Sequence, residues 1–265
     1  MNIDNYLAGS LLLVSFVVIS ALGVIPFRKI RGIKRLTSHH EVMGYFFPVA
    51  GSIYGLLLGM VVVNSISVFD AARARLNEES TSLVSIYMLA ENFPSPERTK
   101  IRQYCRDYTQ SVISQEWNRL DQGEHHPVTR EYAANLFKEL IKVSTVSSNA
   151  GQKILDLGQT LIEARRDRLD ISARSIPAIE WFTLCIGGVL IILFSYLFVT
   201  DSLFVQVFGT GIIAIMISLN LYLVVVFSGP FSGDLKVSQL PMVKAIDTFN
   251  NIDSIYTHGP TPDPR

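Results

Sequence analysis

Residue types that bind metals, shuttle protons or attack carbonyls are sparse in this sequence, and their spacing does not favour such chemistry. His39-His40 and His125-His126 are adjacent pairs. Neighbours on a helix or strand diverge, so neither pair chelates a metal by itself. Cys105 and Cys185 are the only cysteines and build neither a disulfide framework nor a zinc site. A glycine-rich phosphate loop, a nucleophile elbow and a dinucleotide fingerprint are all missing. The expectation is no catalytic residue, no metal and no cofactor, hence not an enzyme. Glu78-Glu79 read as a solvated pair or as partners of Arg75. Glu180, shortly after Ile176-Pro177, complements a helix dipole rather than binding an ion.

Residues that can act on ions rather than on covalent bonds are more concentrated. Asn64-Ser65-Ile66-Ser67 closes a stretch with no charged side chain from Met43 to Phe69. At a rise of ~1.5 Å per residue, such a helix spans a hydrocarbon core of ~30 Å with length to spare. A carboxamide deep in lipid must find a partner or face water. Asn64, Ser65 and Ser67 are therefore either glue between helices or the wet rim of a pore. Gly51, Gly55 and Gly59 cut a groove in which another helix can approach closely. Tyr54, Leu58 and Val62 repeat the same spacing as a ladder of bulky rungs. Two readings stay open: a tightly packed membrane helix, or a helix repeated around a symmetry axis with its ladder facing a pore. Arg73 and Arg75, about two turns further on, line a vestibule in the second reading and anchor at the interface in the first.

The elements that hold these residues follow from hydropathy. Of 265 residues, 23 are Lys or Arg and 23 are Asp or Glu, so net charge argues neither for nucleic acid nor for an acidic partner. The apolar residues are clumped into four runs, Tyr6 to Ile25, Met43 to Phe69, Ile179 to Val199 and Leu203 to Phe227, the signature of an integral membrane protein. The first lacks the basic start and cleavage site of a secretory signal. The expected fold class is all-α: four transmembrane helices with a helical extramembrane bundle inserted between the second and third.

The expected division is 1–69 for the first two spans, 70–178 for the helical region, 179–227 for the last two spans and 228–265 for a C-terminal segment. The second span has no stop signal at the membrane surface. Phe69, Ala72, Leu76, Leu83, Ile86 and Ala90 continue a helical stripe that projects into water as far as Asn92-Phe93-Pro94. Ser95 is expected to cap a new helix with Pro96 at its first position and buried residues Ile101, Cys105, Tyr108 and Val112. A third helix carries Tyr132, Leu136, Phe137, Leu140 and Val143 inward and frays at Ser144 to Gly151. A fourth runs from about Gln152 to Ser175. Past the last span, Val243, Ile246, Asp247 and Phe249 suggest one short amphipathic helix, and Thr257 to Arg265 a disordered tail. Arg28-Lys29-Ile30-Arg31 and Lys34-Arg35, in the first loop, favour the cytoplasm for that loop by the positive-inside rule. Basic residues on the opposing side compete with that assignment.

The sequence resembles the bestrophin ion-channel superfamily, in particular its divergent bacterial, bestrophin-like branch. The resemblance is carried by Pro48 and the apolar helix after it, by Asn64-Ser65-Ile66-Ser67-Val68-Phe69, and by Arg73 and Arg75. A second match is Pro230-Phe231-Ser232-Gly233-Asp234 followed by Leu240-Pro241. It implies a homopentamer with one axial pore and a narrow apolar neck, which falls here on Tyr54, Leu58 and Val62. It also implies both termini and the helical insert in the cytosol, an orientation opposite to that favoured by the basic first loop. The acidic calcium clasp of animal bestrophins has no counterpart, since Asp234, Asp247 and Asp253 are scattered.

The resulting expectation is an oligomeric channel for inorganic ions in the bacterial inner membrane. It places the pore neck at Tyr54, Leu58 and Val62, helix packing at Gly51, Gly55 and Gly59, and a polar rim at Asn64, Ser65 and Ser67. Arg73 and Arg75 form its vestibule, and its partners are its own copies and the lipid bilayer. The alternative is a non-conducting membrane scaffold or sensor whose helical region binds a partner.

Overall fold

The computed structural model describes residues 6–31, 40–122, 126–145, 148–198, 200 and 202–258. Among them the chain forms helices and no strand. The α-helices, in chain order, are α1 (Tyr6–Leu22), α2 (Val24–Arg31), α3 (His40–Leu89), α4 (Ser95–Ser111), α5 (Pro127–Ser144), α6 (Ser148–Ala173), α7 (Ala178–Tyr196), α8 (Leu203–Ser228) and α9 (Leu240–His258). Four stretches are long and apolar enough to cross a membrane: Gly9–Lys29, Gly44–Asn92, Ala178–Tyr196 and Leu203–Ser228. The chain is an integral membrane protein. It divides into two compact units, one of residues up to Phe69 with Ser175–Leu235, the other of Asp70–Arg174 with Lys236 onward.

In the first unit α1 packs along α8, and α8 along α7. Val24, Ile191, Ile192, Tyr196, Ala214 and Ile217 form one buried cluster, with Phe16, Phe47 and Tyr54 against it. Leu58, Val61, Val62, Leu184 and Val224 form a second. The first apolar run is not one helix. It breaks at Gly23 and resumes as the short α2, whose Arg28 and Lys29 close the membrane-crossing stretch.

The second unit is built on the far half of α3. Its buried residues Ala72, Leu76, Leu83, Ile86 and Ala90 are the stripe expected of a helix that leaves the membrane unbroken. Ile101, Cys105 and Tyr108 from α4, Leu136 and Leu140 from α5, and Ile154, Leu161 and Ala164 from α6 complete the core. α4 and α5 pack together, as do α5 and α6.

Several boundaries differ from expectation. Ser95 is the first residue of α4 rather than its cap, with Pro94 before it and no side-chain capping bond. α6 begins at Ser148, four residues before Gln152. The C-terminal helix is longer than the short segment expected: α9 has 19 residues, because Met242, Ala245, Phe249 and Ile252 give it a full buried stripe. Thr257 and His258 end that helix, while the rest of the expected tail lies outside the described residues. α4 does not run evenly to Trp117. Its last stretch, Val112–Glu116, widens into a π turn and then tightens into a 3₁₀ segment, Trp117–Gln122.

Candidate functional site

The membrane half of α3 has two faces with different environments. Tyr54, Leu58 and Val62 lie on the face turned toward the chain's own third and fourth spans. Leu58 is 4% exposed and Val62 8%, packed with Leu184 and Val224 and with Trp181 and Leu221 alongside. The Tyr54 hydroxyl donates to the Leu184 carbonyl at 3.0 Å. Gly187 and Gly188 on α7 make room for that ring: a Cβ on Gly187 would fall 2.5 Å from the Tyr54 ring edge. Within the single subunit, the rungs expected at the neck, Tyr54, Leu58 and Val62, are thus turned toward α7 and α8. Those rungs hold α3 to α7 and α8, and the four-residue spacing that picked them out marks the buried stripe.

The opposite face is open. At ~100° per residue, Ser52, Leu56, Met60, Val63 and Ser67 fall on the side of α3 away from Leu58. Leu56 is 69% exposed, Met60 67% and Val63 67%. Asn64 and Ser67 are exposed as well. Ser65 differs from both: it is buried, and its Oγ donates to the Val61 carbonyl at 3.0 Å, within its own helix. Gly51, Gly55 and Gly59 lie between the two faces, and a Cβ built on any of them would meet nothing within 4 Å. The groove they form is thus unfilled by the described residues.

Asn64 sits six residues, roughly 9 Å along the helix, before Asp70, the first charge after the apolar run. A carboxamide left facing hydrocarbon there costs several kcal/mol in the hydrocarbon-transfer limit. An exposed Leu, Met or Val on a membrane helix is satisfied by lipid. An exposed Asn beside them is not.

In the second unit, Arg73 is exposed, but Arg75 is engaged. Its guanidinium bonds Glu78 at 2.6 Å and Asp167 at 3.0 Å, and its pKa is raised, chiefly by the Glu78 hydrogen bond. A vestibule built on both arginines therefore draws on Arg73, with the Arg75 charge answered by two carboxylates.

The adjacent glutamates part company. Glu78 takes the expected role beside Arg75. Glu79 is fully buried, a correction to its reading as solvated or as a partner of Arg75. Arg168 on α6 grips it through Nε at 2.6 Å and Nη2 at 3.0 Å, and the Tyr108 hydroxyl donates to it as well. The same Arg168 Nη2 reaches Glu116 at 2.8 Å. Glu116, at the end of the π turn, is held on its other side by Arg165 at 3.0 and 2.7 Å. Two carboxylates and two guanidiniums thus close a neutral network between α3, α4 and α6. Burial pushes the Glu116 carboxyl upward, but Arg168 and Arg165 outweigh it and hold its pKa below the ordinary value. Burial drives the Tyr108 hydroxyl well above its usual range. The sequence offered one usable signal for this network: Glu79 falls on the line of Ala72, Leu76, Leu83 and Ile86, the stripe already marked as inward.

A family model described as the bestrophin-like domain matches residues 14–242. The chain belongs to the bestrophin-like family. Solved structures agree on the fold of this bestrophin-like chain. A bacterial bestrophin homologue from Klebsiella pneumoniae superposes with a TM-score of 0.68 at 13% identity, covering 94% of this chain and 100% of that one. A point variant of that homologue gives 0.70 at 15% identity, covering 93% and 98%. A crystal structure described only as a membrane protein gives 0.71 at 13% identity, covering 92% and 98%. No curated protein matches the sequence. Among the described residues no group of three or more His, Cys, Asp or Glu is placed to hold a metal ion.

Proposed function

We propose that this bestrophin-like chain forms a ring of identical subunits, a pentamer as the family resemblance implies, that passes small inorganic ions through the bacterial inner membrane. The open face of α3 lines the path. Leu56, Met60 and Val63 form the apolar neck, which admits ions when it wets and stops them when it dewets. Asn64 and Ser67 form the rim on one side of it, and Ser52 the first polar position on the other. The glycine row meets the neighbouring copy. The helical unit lies in the cytosol, with Arg73 beside the path.

The observation that carries this reading is the exposure of Asn64 and Ser67 directly beside Met60 and Val63. Lipid suits the second pair and penalises the first, while a water path narrowed by apolar side chains suits all four. The similar solved structures support the fold, and those from Klebsiella pneumoniae are described as a bestrophin homologue and its variant.

Purified protein in liposomes tests it. Met60→Ala widens the neck and is expected to raise ion flux, whereas Leu203→Ala, on an exposed apolar surface of α8, leaves flux unchanged. Absence of flux from well-folded wild type under every ionic condition overturns the channel reading. A cross-linked dimer without flux favours instead a scaffold whose helical unit binds a partner.

A further inference from the structure

At the end of the first span lies a cation held by a neutral partner. Arg28, on α2, donates from Nη1 to the Gln206 side-chain oxygen at 3.2 Å. Gln206 is 4% exposed, and its Nε2 donates in turn to the Tyr196 carbonyl at 3.2 Å. The Tyr196 hydroxyl donates to the Ser20 carbonyl at 2.6 Å. The Gln206 amide is thereby oriented: its NH₂ is committed to a carbonyl, so its oxygen must face the guanidinium. Val24, one turn earlier on the same face of α2, anchors that helix in the buried cluster.

This arrangement positions Arg28 without neutralising it. A carboxylate partner would cancel the charge, but an amide accepts one hydrogen bond and leaves the full positive charge and the remaining donors of the guanidinium for something else. Lys29 beside it is exposed. Among the described residues neither cation pairs with a carboxylate. The sequence around them is one-sided. From Asn5 to His40 there is no Asp or Glu, while Arg28, Lys29, Arg31, Lys34 and Arg35 all carry positive charge. Arg28 comes six residues after the end of α1 at Leu22, within reach of the headgroup layer that flanks the hydrocarbon core.

We propose that Arg28 and Lys29 form a binding site for the phosphodiester of an anionic phospholipid. The Arg28 guanidinium, pre-oriented by Gln206, donates to the phosphate oxygens. Lys29 adds a second positive charge, and the exposed Ile25 of the same helix lies against the acyl chains. An anionic lipid is favoured over a zwitterionic one because no choline or ethanolamine cation must be brought close to these two residues. The site is independent of conduction and of the direction in which the chain is inserted.

Native mass spectrometry of the detergent-purified full chain, titrated with phosphatidylglycerol or with phosphatidylcholine, tests the proposal. Wild type is expected to retain phosphatidylglycerol in preference to phosphatidylcholine, and less of it as ionic strength rises. Each cation removed is expected to cost roughly fivefold in phosphatidylglycerol retention, so Lys29→Gln loses about that much and Arg28→Gln with Lys29→Gln roughly the square of it. Phosphatidylcholine retention stays unchanged in both. Lys29→Gln alters only an exposed side chain, so its loss is read without ambiguity about folding. Equal retention of the two lipids by wild type overturns the site, as does a double variant that retains phosphatidylglycerol like wild type. Displacement of the lipid by inorganic phosphate, but not by chloride at the same ionic strength, assigns the cations to a free anion and overturns the lipid assignment.

Discussion

The two units of the chain hold themselves together by opposite means. The membrane unit relies on apolar contact and a few neutral hydrogen bonds, such as Tyr54 to the Leu184 carbonyl and Tyr196 to the Ser20 carbonyl. It leaves Leu56, Met60 and Val63 uncovered. The helical unit buries charge. Glu79, Glu116 and Arg168 are fully enclosed there, each answered by a partner of opposite sign. The contrast follows from the solvent. Lipid removes the hydrophobic drive between helices, so small residues and interlocking shapes do the packing. A bundle in water can afford a buried ion network only if every charge is met, and the network then fixes which helix lies against which.

The largest effect should come from breaking the network on one side. Glu79→Ala leaves Arg168 and Arg165 sharing the single carboxylate of Glu116, one buried positive charge in excess, and is expected to destabilise the protein by about 3–5 kcal/mol, the usual cost of removing one side of a buried ion pair. Replacing both, as Glu79→Leu with Arg168→Leu, should recover much of that loss in thermal melts. If Glu79→Ala melts like wild type, the network does not hold the unit together.

Next in size is the buried face of α3. Leu58→Ala opens a cavity against Leu184 and Val224 and is expected to cost about 2–5 kcal/mol. Met60→Ala, on the open face, should leave the melting of the single subunit close to wild type. Equal destabilisation by the two would erase the distinction between the faces. Smaller again, Tyr54→Phe removes one hydrogen bond and should cost about 1 kcal/mol.

Acid should separate the units at the lower end of the scale. The Glu116 and Asp253 carboxyls are both held below their ordinary pKa. For Asp253, burial raises the pKa, but hydrogen bonds from the Tyr87 hydroxyl and Arg106 overcome it. A depressed native pKa contributes stability that is fully present above the unfolded value, about 4 for carboxyls. That stability is lost as pH falls through the native one. Melting of the helical unit should therefore weaken below about pH 4–5. Asp253→Asn should flatten part of that slope, and an unchanged pH profile would show that Asp253 carries none of it.

Much of this architecture was legible in the sequence because it follows from composition and period. The four spans are uninterrupted apolar runs. The unbroken exit of α3 into water was written in Ala72, Leu76, Leu83 and Ile86. What could not be read was which face of α3 the rest of the chain would occupy. Tyr54, Leu58 and Val62 form a stripe of bulky residues, and a stripe alone does not say whether its partner is the same subunit or another. That answer lies in Gly187 and Gly188, more than a hundred residues away, whose missing side chains admit the Tyr54 ring. Glu79 was misread for a related reason. Two adjacent glutamates look like a solvated pair, and only Arg168, from a distant helix, meets the inward one, while its neighbour Arg165 holds Glu116. The π turn that aims Glu116 at them has no sequence marker.

The claim on which the functional account turns is that the open face of α3, and not the buried one, meets water in the assembled protein. Single cysteines at positions 56, 60 and 63, and at 58 and 62, in a background where Cys185 is replaced by Ser, can be probed in proteoliposomes with a membrane-impermeant thiol reagent while ion flux is recorded. Reagent is expected to reach positions 56, 60 and 63 and to change flux there, leaving 58 and 62 unmodified. Rapid modification at 58 or 62, with 56, 60 and 63 protected as lipid-facing residues would be, contradicts it.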